Sequence, residues 1–146
     1  MPSLTLRTLA ERVLAAERRL FRRMSDCSDA QMGLLLRIAG ANTIAMRELV
    51  RQTGWEKSAV TRATDVLHAR GLVTKEPDAA DARALLLAAT PSGHQLARQV
   101  TALLDTEARA LIGGLAPADR AAADRILSRL CHLLDADARV AGPELE

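Results

Sequence analysis

Aromatic side chains are almost absent. Trp55 and Phe21 are the only two, tyrosine is missing, and aromatics make up 1% of the 146 residues. The core must therefore come from Leu, Ala, Val and Ile, a set that suits packed helices, with Ala the best helix former. Cysteine is nearly as scarce. Cys27 and Cys131 are too few for a disulfide framework. Charges interrupt every apolar run before it reaches the roughly 20 residues of a membrane span. The opening segment MPSLTLRTLAER sets Arg7, Glu11 and Arg12 where a signal peptide would be apolar. A cytoplasmic protein without membrane contact is expected. Catalytic signatures are missing too: no phosphate loop, no G-x-S-x-G, no H-E-x-x-H. His68, His94 and His132 are scattered, and the neighbours Cys131 and His132 point about 100° apart on a helix, so they make no ligand pair. No enzyme activity, metal or cofactor is expected.

What is present is 49% hydrophobic and 26% charged, the balance of one globular domain rather than a disordered chain. The net charge of +2 is unevenly spread. Residues 1–23 hold six arginines against two glutamates, while from Leu103 onward eight acids outnumber five arginines. Residues 47–90 hold seven cations against six acids. That near-neutral balance is a weak footprint for a nucleic-acid reader.

Apolar residues at Leu6, Leu9, Val13, Ala16, Leu20 and Met24 mark a first helix from about Ser3 to Met24. So long an apolar surface in a small chain suggests sharing with a second subunit. Ser28-Asp29-Ala30-Gln31 is a capping box that opens a second helix carrying Met32, Leu35 and Leu36. Gly40-Ala41-Asn42 ends it, and Thr43-Ile44-Ala45 is a short extended bridge. Met46 to Thr53 forms a third helix, and Gly54 turns the chain.

The next stretch, WEKSAVTRATDVLHARG from Trp55 to Gly71, is amphipathic over about four turns. Ala59, Val60, Ala63, Val66 and Leu67 share one arc. Lys57, Ser58, Thr61, Asp65 and His68 share the other, with Arg62 at its edge. Short hydroxyls and cations on an exposed helix start suit base edges and phosphates. Two short helices around a glycine turn form a helix-turn-helix. Leu72 to Glu76 reads as a strand, Pro77 to Ala82 as a loop, and Arg83 to Ala89 as the return strand. A hairpin in that place is a wing. Thr90-Pro91 starts a fifth helix with Thr at its N-cap, striped by Leu96, Val100, Leu103 and Leu104. After Gly113-Gly114 a sixth begins at Pro117, with Ile126, Leu127, Leu130, Cys131 and Leu134 on one face, Cys131 read as packing. The tail from Val140 to Glu146 is expected to fray.

In its middle the chain resembles the multiple-antibiotic-resistance regulator (MarR) family. The likeness covers about residues 28–93 and rests on SDAQMGLLLRIAG, AMRELVRQTGWEKSAVTRATDVLHARGLV and PDAADARALLLAATPSG. Asp81-Ala82-Arg83 matches the family's D-x-R wing signature. Ala89-Thr90-Pro91-Ser92-Gly93 matches its Leu-Thr-x-x-Gly with Ala in place of Leu.

The resemblance implies a mainly α fold of six helices with a winged helix-turn-helix over 28–90. The helical dimerisation region then comes from both termini, 1–24 and 91–138, within one domain over 1–146. It implies a homodimer that binds a palindromic operator in double-stranded DNA, as a repressor answering to a small organic effector. Lys57, Ser58, Thr61 and Arg62 would meet the major groove and its phosphates, and Lys75 is counted with them. Arg83 would enter the minor groove, with Asp81 holding its guanidinium. Arg12, Met32, Leu36 and His94 are the candidate effector-pocket residues. Two alternatives stay open. One is a winged-helix protein-interaction module without DNA binding, which the charge balance of 47–90 favours. The other is a thiol-based redox-responsive regulator acting through Cys27, in the loop before a helix start.

Overall fold

The structure is a computed structural model that describes residues 1–140, and side chains as far as Ala136. The expected fraying of the tail beyond Val140 lies outside the described residues. Six helices and one small antiparallel sheet make up the fold, in the order α1 (Pro2–Met24), α2 (Asp29–Ala41), β1 (Thr43–Ala45), α3 (Met46–Thr53), α4 (Lys57–Ala69), β2 (Val73–Pro77), β3 (Leu85–Ala89), α5 (Pro91–Gly113) and α6 (Pro117–Val140). The chain divides into two compact units, Met1–Leu104 and from Asp105 onward.

The first unit is built around α2. Its capping box is complete: the Gln31 N–H donates to Ser28 Oγ at 3.1 Å, and the Ser28 N–H donates to Gln31 Oε1 at 3.0 Å. Met32, Leu34, Leu35 and Ile38 are fully buried, so this helix is covered on most of its circumference. Of α1, only Leu20 and Phe21 are buried. Leu4, Leu6, Leu9, Val13 and Leu14 stay exposed.

Thr43 to Ala45, expected as a bridge, is a strand. The sheet order is β1-β3-β2, with Leu87 opposite Ile44 on one side and Lys75 on the other. Directly opposed residues share a face, so Ile44, Leu87 and Lys75 point the same way, into the core. The return strand starts two residues later than expected, at Leu85, because Arg83 and Ala84 are spent on the turn.

Helix α4 buries Val60, Thr64 and Leu67. Val66, expected inside, is exposed, and Thr64 takes the inner place. Its hydroxyl donates to the Thr61 carbonyl at 2.9 Å, which removes the penalty of a buried polar group.

A tight junction joins the end of α4 to the start of α5. Gly71 has φ 71°, a left-handed conformation that glycine adopts without strain. Thr90 Oγ1 donates to the Gly71 carbonyl at 2.6 Å and accepts from the Gly93 N–H at 3.1 Å, so it both caps α5 and anchors it. The Thr90 N–H donates to the Leu72 carbonyl at 3.0 Å. A Cβ on Gly93 would overlap that same Leu72 oxygen. The final Gly of the Leu-Thr-x-x-Gly pattern is thus required by backbone contact.

In the second unit, Arg120 closes the end of α5. Its Nε donates to the Leu115 carbonyl and its Nη2 to the Gly113 carbonyl, each at 2.8 Å. Among the described residues of this unit no side chain is fully buried. Ile126 is 60% and Leu134 69% exposed, and Cys131, expected to pack, is exposed as well.

Gly93→Ala is expected to destabilise the protein by about 1–3 kcal/mol, the usual range for overpacking against backbone. Urea unfolding followed by circular dichroism measures it, and an unchanged midpoint would contradict the contact.

Candidate nucleic-acid interface

Helix α4 starts at Lys57 with Glu56 at its N-cap, and no side chain caps its leading N–H groups. An uncapped helix start carries partial positive charge and free donors. Lys57, Ser58 and Arg62 are exposed around this end, and Thr61 is half-buried. Thr61 Oγ1 donates to the Lys57 carbonyl at 2.8 Å, which leaves its oxygen free to accept.

The wing loop is held by two aspartates acting on backbone. Asp78 Oδ1 accepts from the Ala80 N–H at 2.9 Å, and Asp81 Oδ1 accepts from the Arg83 N–H at 3.0 Å. This corrects the role expected of Asp81. Its carboxylate shapes the turn as an Asx motif, and among the described residues no ion pair joins it to the Arg83 guanidinium. Arg83 is positioned through its main chain, and its side chain is exposed.

Lys75 is also placed differently from expectation. Its side chain is 12% exposed, and its ammonium pairs with Asp65 on α4. The strand register points its stem inward, and the ammonium bends out to reach the carboxylate. Nearby, His68 Nδ1 lies 3.0 Å from the Val73 carbonyl oxygen, an arrangement that needs the proton on Nδ1. Lys75 and His68 thus fasten α4 to β2.

A cleft of about 340 Å³ opens between the helix start and the wing. Lys57 and Arg83 line it together with Arg47 of α3, which sequence reasoning passed over. Arg47 is the second residue of α3 and is exposed. Nothing in its spacing marks it, because the cleft exists only once the wing folds back past α3.

The pairings explain how a near-neutral segment presents positive charge. Glu48 binds Arg51 through two contacts of 2.6 and 2.8 Å and accepts from Gln52 at 3.1 Å. Asp65 is engaged by Lys75, and Asp78 and Asp81 accept backbone N–H groups. Among the described residues, the side chains of Arg47, Lys57, Arg62 and Arg83 make no hydrogen bond or ion pair. The hydrogen bonds from Arg51 and Gln52 hold the Glu48 carboxyl well below its usual 4.5, at about 2.

The remaining candidate residues lie elsewhere in the fold. Met32 is 0% exposed and belongs to the core, Leu36 packs against that core, Arg12 is exposed on α1, and His94 is half-buried in α5. These four do not line the cleft between α4 and the wing. Cys27 is buried in the core, with its sulfur accepting from Arg70 Nη1 at 3.5 Å. Burial removes the access that a redox-sensing thiol needs. Among the described residues no cluster of His, Cys, Asp and Glu is able to hold a metal ion, and no helix is long and apolar enough to cross a membrane.

A family model described as the MarR family matches residues 25–84, the span from the approach to α2 through the wing loop. Over that span the chain is similar to the MarR family. No curated protein matches it. Solved structures share the fold along most of their length. FabT from Streptococcus pneumoniae, in complex with DNA, aligns with a TM-score of 0.80 at 20% identity over 91% of this chain and 94% of that one. A mutant of MarR from E. coli complexed with operator DNA gives 0.67 at 26% identity over 88% and 95%. BpsR from Bordetella bronchiseptica, from work on how 6-hydroxynicotinic acid regulates its DNA binding, gives 0.68 at 26% over 90% and 93%.

Two outcomes are expected. Asp81→Asn keeps an oxygen for the Arg83 N–H and preserves its protection from amide hydrogen exchange, whereas Asp81→Ala loses it; equal loss in both would restore the ion-pair role. The Glu48 carboxyl titrates at about 2 by NMR, and Arg51→Ala returns it toward 4.5. Because the folded value is the lower one, the Glu48 contribution to α3 is complete above 4.5 and lost as the pH falls toward 2. A titration near 4.5 in the intact protein would contradict the pairing.

Proposed function

We propose that the protein is a transcriptional regulator that binds double-stranded DNA as a homodimer, on a palindromic operator, and represses. The observation that carries this reading is the unpaired set Lys57, Arg62 and Arg83 beside Ser58 and Thr61, on an uncapped helix start and a wing that flank one cleft. With α4 in a major groove, Ser58 and Thr61 read base edges while Lys57 and Arg62 meet phosphates. Arg83 enters the adjacent minor groove, most strongly where that groove is narrow. The relatives whose structures contain DNA support this reading.

The homodimer is supported by apolar surface left uncovered in each unit: Leu4, Leu9 and Val13 in the first, Ile126, Leu133 and Leu134 in the second. Each such side chain gains roughly 1.5–3 kcal/mol when fully buried. Two-fold symmetry then presents two reading helices about one duplex turn apart, which matches a palindrome. The reported control of BpsR by an aromatic acid supports a ligand-responsive repressor.

The test is an electrophoretic shift assay on the DNA flanking its own gene, with salt varied. Arg83→Ala is expected to weaken binding on all sequences and to lower the slope of log affinity against log salt by about one unit. Thr61→Ala is expected to change sequence preference more than Arg83→Ala does. Salt-insensitive binding, or none, would favour a protein-interaction module instead.

A further inference from the structure

Arg47 belongs to neither α4 nor the wing, yet it lines the cleft between them with Lys57 and Arg83. It is exposed, and among the described residues its guanidinium makes no hydrogen bond or ion pair. The adjacent acid, Glu48, is taken by Arg51 and Gln52 and does not neutralise it. Val50 and Leu85 add apolar wall, and Leu85 is 40% exposed, so the fold leaves part of that wall uncovered. Duplex geometry decides what passes there. A major groove and the minor groove beside it are separated by one sugar-phosphate strand. A protein with α4 in the first and Arg83 in the second must straddle that strand. The start of α4 and the wing are two walls of the cleft, so the strand crosses its mouth and faces the third wall, α3.

We propose that the cleft seats the strand between the two grooves and that Arg47 is its phosphate anchor. The guanidinium offers the phosphate oxygens a planar pair of donors. Lys57 adds a second cation from the first residue of α4. The deoxyribose beside the phosphate has an apolar edge, which lies along Val50 and Leu85. Asp81, the one carboxylate among the lining residues, stands on the wing side and turns the phosphate toward α3. The anchor reads no sequence, but it fixes the depth at which Ser58 and Thr61 enter the major groove. It is carried by the same frame as the wing, because β1, which leads into α3, pairs with β3 as β2 does. The assignment rests on the DNA reading above.

The experiment measures binding of the full-length protein to the DNA fragment bound in the shift assay, by fluorescence anisotropy over a range of salt. A methylphosphonate, which replaces one charged phosphate oxygen by a methyl group, is placed in turn at each phosphate of one half-site. At a phosphate lying between the major-groove and minor-groove contacts it is expected to weaken the intact protein about tenfold. The same substitution is expected to change the affinity of Arg47→Ala by less than about twofold. Arg47→Ala is expected to weaken operator and random DNA by similar factors and to lower the salt slope by about one unit for each half-site. Arg47→Lys keeps the charge, so it is expected to restore the slope but not the full affinity. A merely structural role for Arg47 would lower affinity and leave the methylphosphonate effect in place. An equal methylphosphonate effect in Arg47→Ala and the intact protein would therefore overturn the anchor, and so would an unchanged salt slope. Either result in a protein that still binds DNA sinks the anchor alone. If the intact protein binds no DNA, or binds it without salt sensitivity, the DNA reading fails and the anchor falls with it.

Discussion

Leu87 carries the constraint on which the reading surface depends. It is fully buried in the middle strand of the sheet, opposite Ile44 and Lys75. The strand before α3 and the strand after α4 both pair with β3, so two hydrogen-bond ladders on one middle strand tie the two ends of the helix-turn-helix together. The wing therefore does not hang from the helix by a hinge. Asp65–Lys75 and His68–Val73 add side-chain fastenings between α4 and β2. At the far end, Gly71, Leu72, Thr90 and Gly93 lock the start of α5 against the end of α4. Contacts that need an Ångström-scale match on two grooves are best held by such a rigid frame.

Electrostatics then acts through arrangement rather than sum. Seven cations against six acids over residues 47–90 look neutral. Once folded, Arg51 and Lys75 are engaged by Glu48 and Asp65, and Arg70 contacts the Asp26 carbonyl and Cys27. Arg47, Lys57, Arg62 and Arg83 remain to face a ligand. Two of the acids, Asp78 and Asp81, work on loop backbone and hold the wing tip in shape. A charge count along a sequence cannot separate acids that build from acids that repel.

Much of the fold was legible because it is local. The Ser28–Gln31 capping box, the glycine at 54, the Thr90-Pro91 helix start and the 3.6-residue stripes are decided by neighbours in the chain, and each appears where expected. The exposure of Lys57 and Ser58 follows from the same periodicity. The misplacements are non-local. Lys75 turns inward because strand register opposes it to Leu87. Thr64 goes inside because its hydroxyl is satisfied by its own helix. Cys27 sits in a loop by sequence but is buried with the core by packing, and Met32 is on the buried side of α2. The cleft with Arg47 depends on the wing's return past α3, which no single segment encodes.

The central claim is that one rigid frame holds α4 and Arg83 for two adjacent grooves of the same duplex. Dimethyl sulfate interference on DNA bound in the shift assay reads both grooves in one experiment, since guanine N7 lies in the major groove and adenine N3 in the minor. The account expects, in each half-site, interference at major-groove guanines and at minor-groove adenines immediately beside them. Interference confined to one groove, or at positions unrelated by two-fold symmetry, would contradict it.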